Sequence, residues 1–145
     1  MSCGTQSSLK IKSASDLYET ADKNGITVDA FQMRRNKSLC IEDENGCHIA
    51  LSPDLKGAEE TEALAHELGH CMFGGFYNRY SEFDIIERAE RRADKWAFRQ
   101  LLPLSWVREQ MHHGLYYYWE FAEESGLSED FCRRALSYYS QAGLI

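Results

Sequence analysis

The sequence is short of the features that mark several large protein classes. No apolar run approaches the ~20 residues needed to cross a bilayer, and Met1 to Lys12 lacks the apolar core of a signal peptide. A cytoplasmic protein with no membrane partner is expected. Proline is scarce, two in 145 residues, and there is no Pro/Gly/Ser-rich tract. With 43% hydrophobic and 12% aromatic residues, this composition excludes a disordered chain. Basic residues are outnumbered, 16 Lys+Arg against 23 Asp+Glu, and the formal charge of −7 repels phosphate backbones. No direct nucleic-acid binding is expected. The five cysteines, Cys3, Cys40, Cys47, Cys71 and Cys132, are odd in number and contain no C-x-x-C spacing, which argues against a disulfide framework or a zinc ribbon. Reduced, packed thiols are expected instead.

What is present suits one domain, long enough to bury roughly two-thirds of the surface its unfolded form exposes. Residues 1–12 are polar and serine-rich and are expected as a loose arm, with a single domain over 13–145. Ser15 is placed to cap a helix over about 15–24, stopped by Asn24-Gly25. A strand over Ile26 to Met33 and a hairpin follow. The hairpin pairs Ser38 to Ile41 with His48 to Leu51 through an Asn45-Gly46 type I′ turn, and a small antiparallel sheet of about three strands is expected.

From Ala58 the apolar spacing becomes helical, with Glu59, Glu60 and Glu62 in the first turns and Gly74-Gly75 as the stop. A second long helix is expected over Asp84 to Leu102, on an apolar face of Ile86, Ala89, Ala93, Ala97 and Leu101, ended by Pro103. Three shorter helices, Leu104 to Met111, Leu115 to Glu124 and Glu129 to Tyr139, make a helical extension over 103–145. The fold class is α+β, the sheet packed on the two long helices.

One motif dominates the chemistry. His66-Glu67-Leu68-Gly69-His70 is an H-E-x-x-H pattern inside a segment assigned to a helix on independent grounds. Residues four apart on a helix project from one face about 6 Å apart, so His66 and His70 can converge on one tetrahedral ion. Ala63, Leu64 and Leu68 beside them suggest a face turned inward, where unpaired imidazoles are costly. Glu67 lies one position round, where its carboxylate can take a proton from water; it reads as a base and not as a ligand.

A catalytic zinc takes three protein ligands, so a third donor must come from elsewhere. The metzincin pattern is excluded, because Phe73 and Phe76 stand where it requires Gly and His. The next helix offers Glu82, Asp84, Glu87, Glu90 and Asp94. Glu90 and Asp94 share a face: Glu90 can complete a His, His, Glu set, and Asp94 can accept the second ring N–H of a ligand histidine. Glu87 is the competing ligand, although it suits a surface pairing with the nearby arginines better.

The residues Ala65-His66-Glu67-Leu68-Gly69-His70-Cys71, then Gly74, Phe76, Tyr77 and Asn78, then Glu90-Arg91-Arg92-Ala93-Asp94-Lys95-Trp96-Ala97 and Leu101-Leu102-Pro103, resemble the ImmA/IrrE metallo-endopeptidases of the gluzincin group. The resemblance covers about Ile41 to Pro103. Gluzincins place the third ligand about twenty residues after the second histidine and a supporting Asp or Asn four later, which matches Glu90 and Asp94. The resemblance implies a compact α+β zinc endopeptidase, one Zn2+ per chain, acting in the bacterial cytosol or for phage and mobile elements. It also implies a protein substrate, a helix-turn-helix transcriptional repressor.

The reaction expected is peptide-bond hydrolysis with Glu67 as general base. Tyr77, Tyr80, His112 and His113 are the candidates for a second oxyanion donor or substrate contact, although a packed ring or a solvated helix end is the ordinary role of each. An extended substrate can add to the edge of the sheet at the hairpin containing Cys40 and His48. The aromatic run Tyr116 to Phe121 is expected to pack in the core, with a protein docking surface as the lesser reading. Two alternatives share the site: a non-catalytic zinc module that sequesters a transcriptional regulator, and a zinc hydrolase acting on a non-peptide bond.

Overall fold

The computed structural model describes residues 11–73, 76–78 and 80–145. Most of the expected N-terminal arm and the Gly74-Gly75 helix stop therefore lie outside the described residues. Within them, six helices and one three-stranded sheet make an α+β arrangement.

Helix α1 spans Ala14–Lys23 and starts at Ser13, not Ser15. The reason is reciprocity. Ser13 Oγ accepts from Asp16 N at 3.3 Å while Asp16 Oδ2 accepts from Ser13 N at 2.8 Å, whereas the residue three beyond Ser15 is Tyr18, which has no carboxylate to return. Leu17 and Ala21 turn inward, and Gly25 (φ 70°) lets the chain reverse into strand β1, Thr27–Ala30.

Strands β2 (Ser38–Asp43) and β3 (Gly46–Leu51) form the expected hairpin, but its two-residue loop is Glu44-Asn45. No described residue other than glycine has positive φ, so the type I′ turn does not form. Asp43 Oδ1 instead accepts from Asn45 N at 2.8 Å, and the left-handed step falls on Gly46 (φ 118°), the first residue of β3.

The expectation of an antiparallel sheet is corrected for one pair. The order is β1-β3-β2, with β1 parallel to β3 and β2 antiparallel to it. The segment 31–37 carries the chain across the end of β3, tied by Phe31 N to Leu51 O (2.9 Å) and Ser52 N to Lys37 O (2.7 Å). It thus lands β2 on the far side of β3. Cys47, Ile49 and Leu51 alternate inward from β3, and Ser38 and Cys40 on β2 share that face through their pairing with Leu51 and Ile49.

The inward face packs on helix α2 (Ala58–Phe73), which lies against helix α3 (Phe83–Leu101). Helices α4 (Leu104–His112), α5 (Tyr118–Ser125) and α6 (Glu129–Gln141) complete the chain. The α5 start is later than expected because Glu120 Oε1 accepts from the backbone N–H of both Tyr116 and Tyr117, holding those residues outside the helix. One core unites all these elements: Leu17, Ile49, Leu64, Leu68, Leu101, Val107, Phe121, Phe131 and Tyr139 belong to a single buried cluster. Tyr139 anchors α6 to it by donating to Leu102 O at 2.8 Å.

Two expectations about side chains are overturned. Cys47 on β3 and Cys71 on α2 form a disulfide with Cα atoms 5.9 Å apart, where reduced thiols were expected; Cys40 and Cys132 are free. An odd cysteine count forbids full pairing but says nothing against one pair that the tertiary fold brings together. In the run Tyr116 to Phe121, only Phe121 is fully buried, and Tyr116, Tyr117 and Trp119 are 67%, 57% and 47% exposed. The inward face of α5 is occupied by Phe121 and Ala122, so Tyr117 and Trp119 instead stack on each other at 4.6 Å.

Candidate metal centre

The site is built where α2 and α3 touch. Gly69 makes their close approach possible: a Cβ at this position would lie 2.7 Å from Ala93 O and 2.8 Å from Ala93 Cα. The polar groups flank that contact: His66 three residues before Gly69 and His70 next to it on α2, Glu90 three residues before Ala93 and Asp94 next to it on α3. Helical spacing places each pair on one face, and glycine lets the faces meet.

Three side chains converge. Glu90 Oε2 lies 2.7 Å from His66 Nε2, Glu90 Oε1 lies 3.2 Å from His70 Nε2, and the two ring nitrogens are 3.2 Å apart. One ligand atom from each of the three fits within a 4.8 Å span, so the group can hold a metal ion. Asp94 Oδ1 lies 2.9 Å from His66 Nδ1. Accepting from that nitrogen, Asp94 sets the tautomer that turns the Nε2 lone pair toward the centre.

The donor chemistry suits a cation. Burial works against charge on His66, but the Asp94 and Glu90 carboxylates outweigh it and push the imidazole up to about 10. Hydrogen bonds from His66 and His70 hold the Glu90 carboxyl far below the usual carboxylate range. A positive charge is demanded at this point; a proton on His66 supplies it when no ion is there, and a divalent cation held by two imidazoles and a carboxylate meets the same demand.

Glu67 and His70 are buried, 7% and 5% exposed. Glu67 is not part of the converging group; its Oε2 accepts from Ser38 Oγ on β2 at 2.6 Å. Cys40, two residues along the same strand, has its thiol pushed up by burial and by the Glu67 carboxylate. An open cleft of about 500 Å³ runs over these groups, lined by Ser38, Cys40, His66, Glu67, His70, Tyr77 and Glu90 among others.

The remaining candidates divide. Tyr77 donates a short hydrogen bond to Glu90 Oε1, and burial with that carboxylate pushes its phenol up. Tyr80 is 80% exposed and, like His112 and His113 at the end of α4, does not line the cleft. Glu87 does not line the cleft and pairs with Arg91 at 2.5 Å. Sequence reasoning missed Ser38 and the part played by Gly69. The glycine left a signal, since a glycine in a helix interior is unfavourable unless something needs the room. Ser38 left none, because nothing local distinguishes one strand serine from another.

Fold and site together define a class: an α+β domain in which a helical H-E-x-x-H and a glutamate of the following helix form a metal-capable cluster in a cleft. The chain matches the family model described as Peptidase_M78, IrrE N-terminal-like domain, over residues 21–137, and it belongs to that family, the ImmA/IrrE group. This membership gives it a metallopeptidase-like role. No curated protein matches the chain.

Proposed function

We propose that the protein is a zinc-dependent endopeptidase that cuts a peptide bond in a protein substrate, a helix-turn-helix repressor of a prophage or mobile element, in the cytoplasm. The observation that carries this reading is the convergence of His66, His70 and Glu90 beside a buried glutamate that is not one of the three. Zinc, when bound, supplies a Lewis acid that polarises a carbonyl and makes a water acidic near neutral pH.

The chain's own residues do the rest. Glu67 takes a proton from the attacking water and returns it to the leaving amine, and Ser38, by donating to Oε2, fixes the rotamer in which it does so. Asp94 orients His66. Tyr77, already at the cluster, is the donor best placed for the developing oxyanion of the substrate. Strand β2 is an edge of the sheet and lines the cleft through Ser38, Leu39 and Cys40, which supports docking of an extended substrate along it. The exposed rings of Tyr116 and Tyr117 before α5 and of Trp119 on it, with the acidic Glu123 and Glu124 of that helix, support a second contact with a basic protein partner. No described helix is long and apolar enough to cross a membrane.

The test separates metal from chemistry. By plasma mass spectrometry, the untagged protein should carry about one zinc per chain, lost in His70→Ala and Glu90→Ala and kept in Glu87→Ala. Glu67→Gln should keep the metal and lose about 10³-fold in cleavage of a candidate repressor. A Glu67→Gln variant that does everything the wild type does would hand the function to the sequestering-module reading.

A further inference from the structure

Asp94, which orients His66, has a second charged partner at the same oxygen. Its Oδ1 lies 3.6 Å from Nη1 of Arg134, on the C-terminal helix α6. Arg134 has little freedom to leave. Its Nε donates to Asp130 Oδ2 at 3.1 Å, one turn earlier, and its guanidinium sits 5.7 Å from the ring centroids of both Phe98 and Phe131. Those rings are buried, 5% and 2% exposed, and pack edge to face at 5.3 Å, one from α3 and one from α6. A guanidinium held by a carboxylate and two rings is restrained in position although its side chain is partly exposed.

The helix carrying Arg134 is pinned to α2 as well. Ser128, the N-cap of α6, donates through its N–H and its hydroxyl to the two oxygens of Glu62, at 2.7 and 2.8 Å. Glu62 stands four residues before His66, on the same helix. So α6 grips the histidine helix at Glu62 and the carboxylate helix at Asp94, and a continuous chain of charged hydrogen bonds and ion pairs runs Asp130, Arg134, Asp94, His66.

We propose that Arg134 is a positioning residue for the metal centre: by fixing Asp94 it fixes the His66 ring, and through it the C-terminal helices set the affinity for the ion. The inference rests on the reading that the His66, His70 and Glu90 cluster holds zinc. Arg133 provides the internal control, since its Nη2 pairs with Asp130 Oδ1 at 2.6 Å and no ion pair joins it to Asp94.

The experiment is competition for Zn2+ between the full-length chain and a chromogenic chelator, with melting of each metal-free variant recorded alongside. Arg134→Met keeps a long unbranched side chain beside the two rings and removes the charge; its zinc affinity should fall about tenfold. Arg134→Lys should recover most of that loss, and Arg133→Gln should match the wild type. In an Asp94→Asn background, Arg134→Met should cost nothing further, because the path runs through Asp94. An unchanged affinity in Arg134→Met, or a full additional loss on top of Asp94→Asn, overturns the inference and leaves the zinc reading standing. A wild type that binds no zinc overturns both.

Discussion

His66 and His48 meet their carboxylates at the same distance, 2.9 Å to Asp94 for the one and 2.9 Å to Asp43 for the other. The two imidazoles nevertheless serve different ends. His48 spends its second nitrogen on Thr27 Oγ1 at 2.7 Å, so the Thr27, His48, Asp43 set closes on itself across the outer face of the sheet. His66 keeps its second nitrogen for a centre shared with His70 and Glu90, inside a cleft. A hydrogen-bonded histidine is thus no signal of function by its pair alone; what matters is where the remaining nitrogen points and what else points there. The two regions are also physically joined, because Cys47, next to His48, is bonded to Cys71, next to His70.

Cutting that tie is the largest change we expect among the structural variants. The bond closes a separation of 24 residues, and removing it with Cys47→Ser and Cys71→Ser should lower unfolding stability by about 3 kcal/mol in urea titrations. Equal midpoints for wild type and variant would show that the two sulfurs are not bonded in the protein as purified. Gly69→Ala comes next, at about 2 kcal/mol, since the added carbon meets Ala93 backbone. It should also weaken zinc retention by parting α2 from α3, and a variant of wild-type stability and zinc content would refute the account of the helix contact.

The paired carboxylates give the sharpest contrast. Asp94→Asn should weaken zinc binding about 10- to 100-fold, while Asp43→Asn, at the same distance from its own histidine, should leave it unchanged. Isothermal titration of both variants decides the point; equal losses would dissolve the distinction drawn between the two clusters.

The last expected effect is one of pH. In the folded, metal-free protein the His66 imidazole is raised from 6.5 to about 10. Its contribution to stability is therefore full below pH 6.5 and is lost as pH rises through 10. Metal-free protein should melt progressively lower between pH 7 and about 10. Saturating zinc should flatten that decline, because the ion then supplies the charge that the proton supplied. A metal-free melting temperature that stays level over this range would show that the Asp94 and Glu90 carboxylates do not hold the imidazole as described.

How much of this could be read from the chain depends on the range of the physics involved. The long helices are legible to within a residue or two at most ends because apolar spacing at three and four is a local property, and Glu90 and Asp94 stand out together because residues four apart on a helix share a face. The direction of β1 was not legible, since alternation along a strand is the same whichever way its partner runs, and only the path of residues 31–37 decides it. The turn failed for a subtler reason: Asn45-Gly46 marks a reversal, but Asp43 captured the Asn45 N–H and moved the left-handed residue onto Gly46 alone.

His66, His70 and Glu90 can be picked out from the chain alone as a set able to share one metal, together with the helices that present them, because these follow from the period of a helix and the chemistry of each side chain. The groups that support them emerge only on folding: Ser38 against Glu67, Gly69 against Ala93, Cys47 with Cys71, Arg134 against Asp94. Each of those contacts joins residues more than twenty positions apart, and nothing local in the chain specifies such a distance; it is set only when the sheet and helices close on one core.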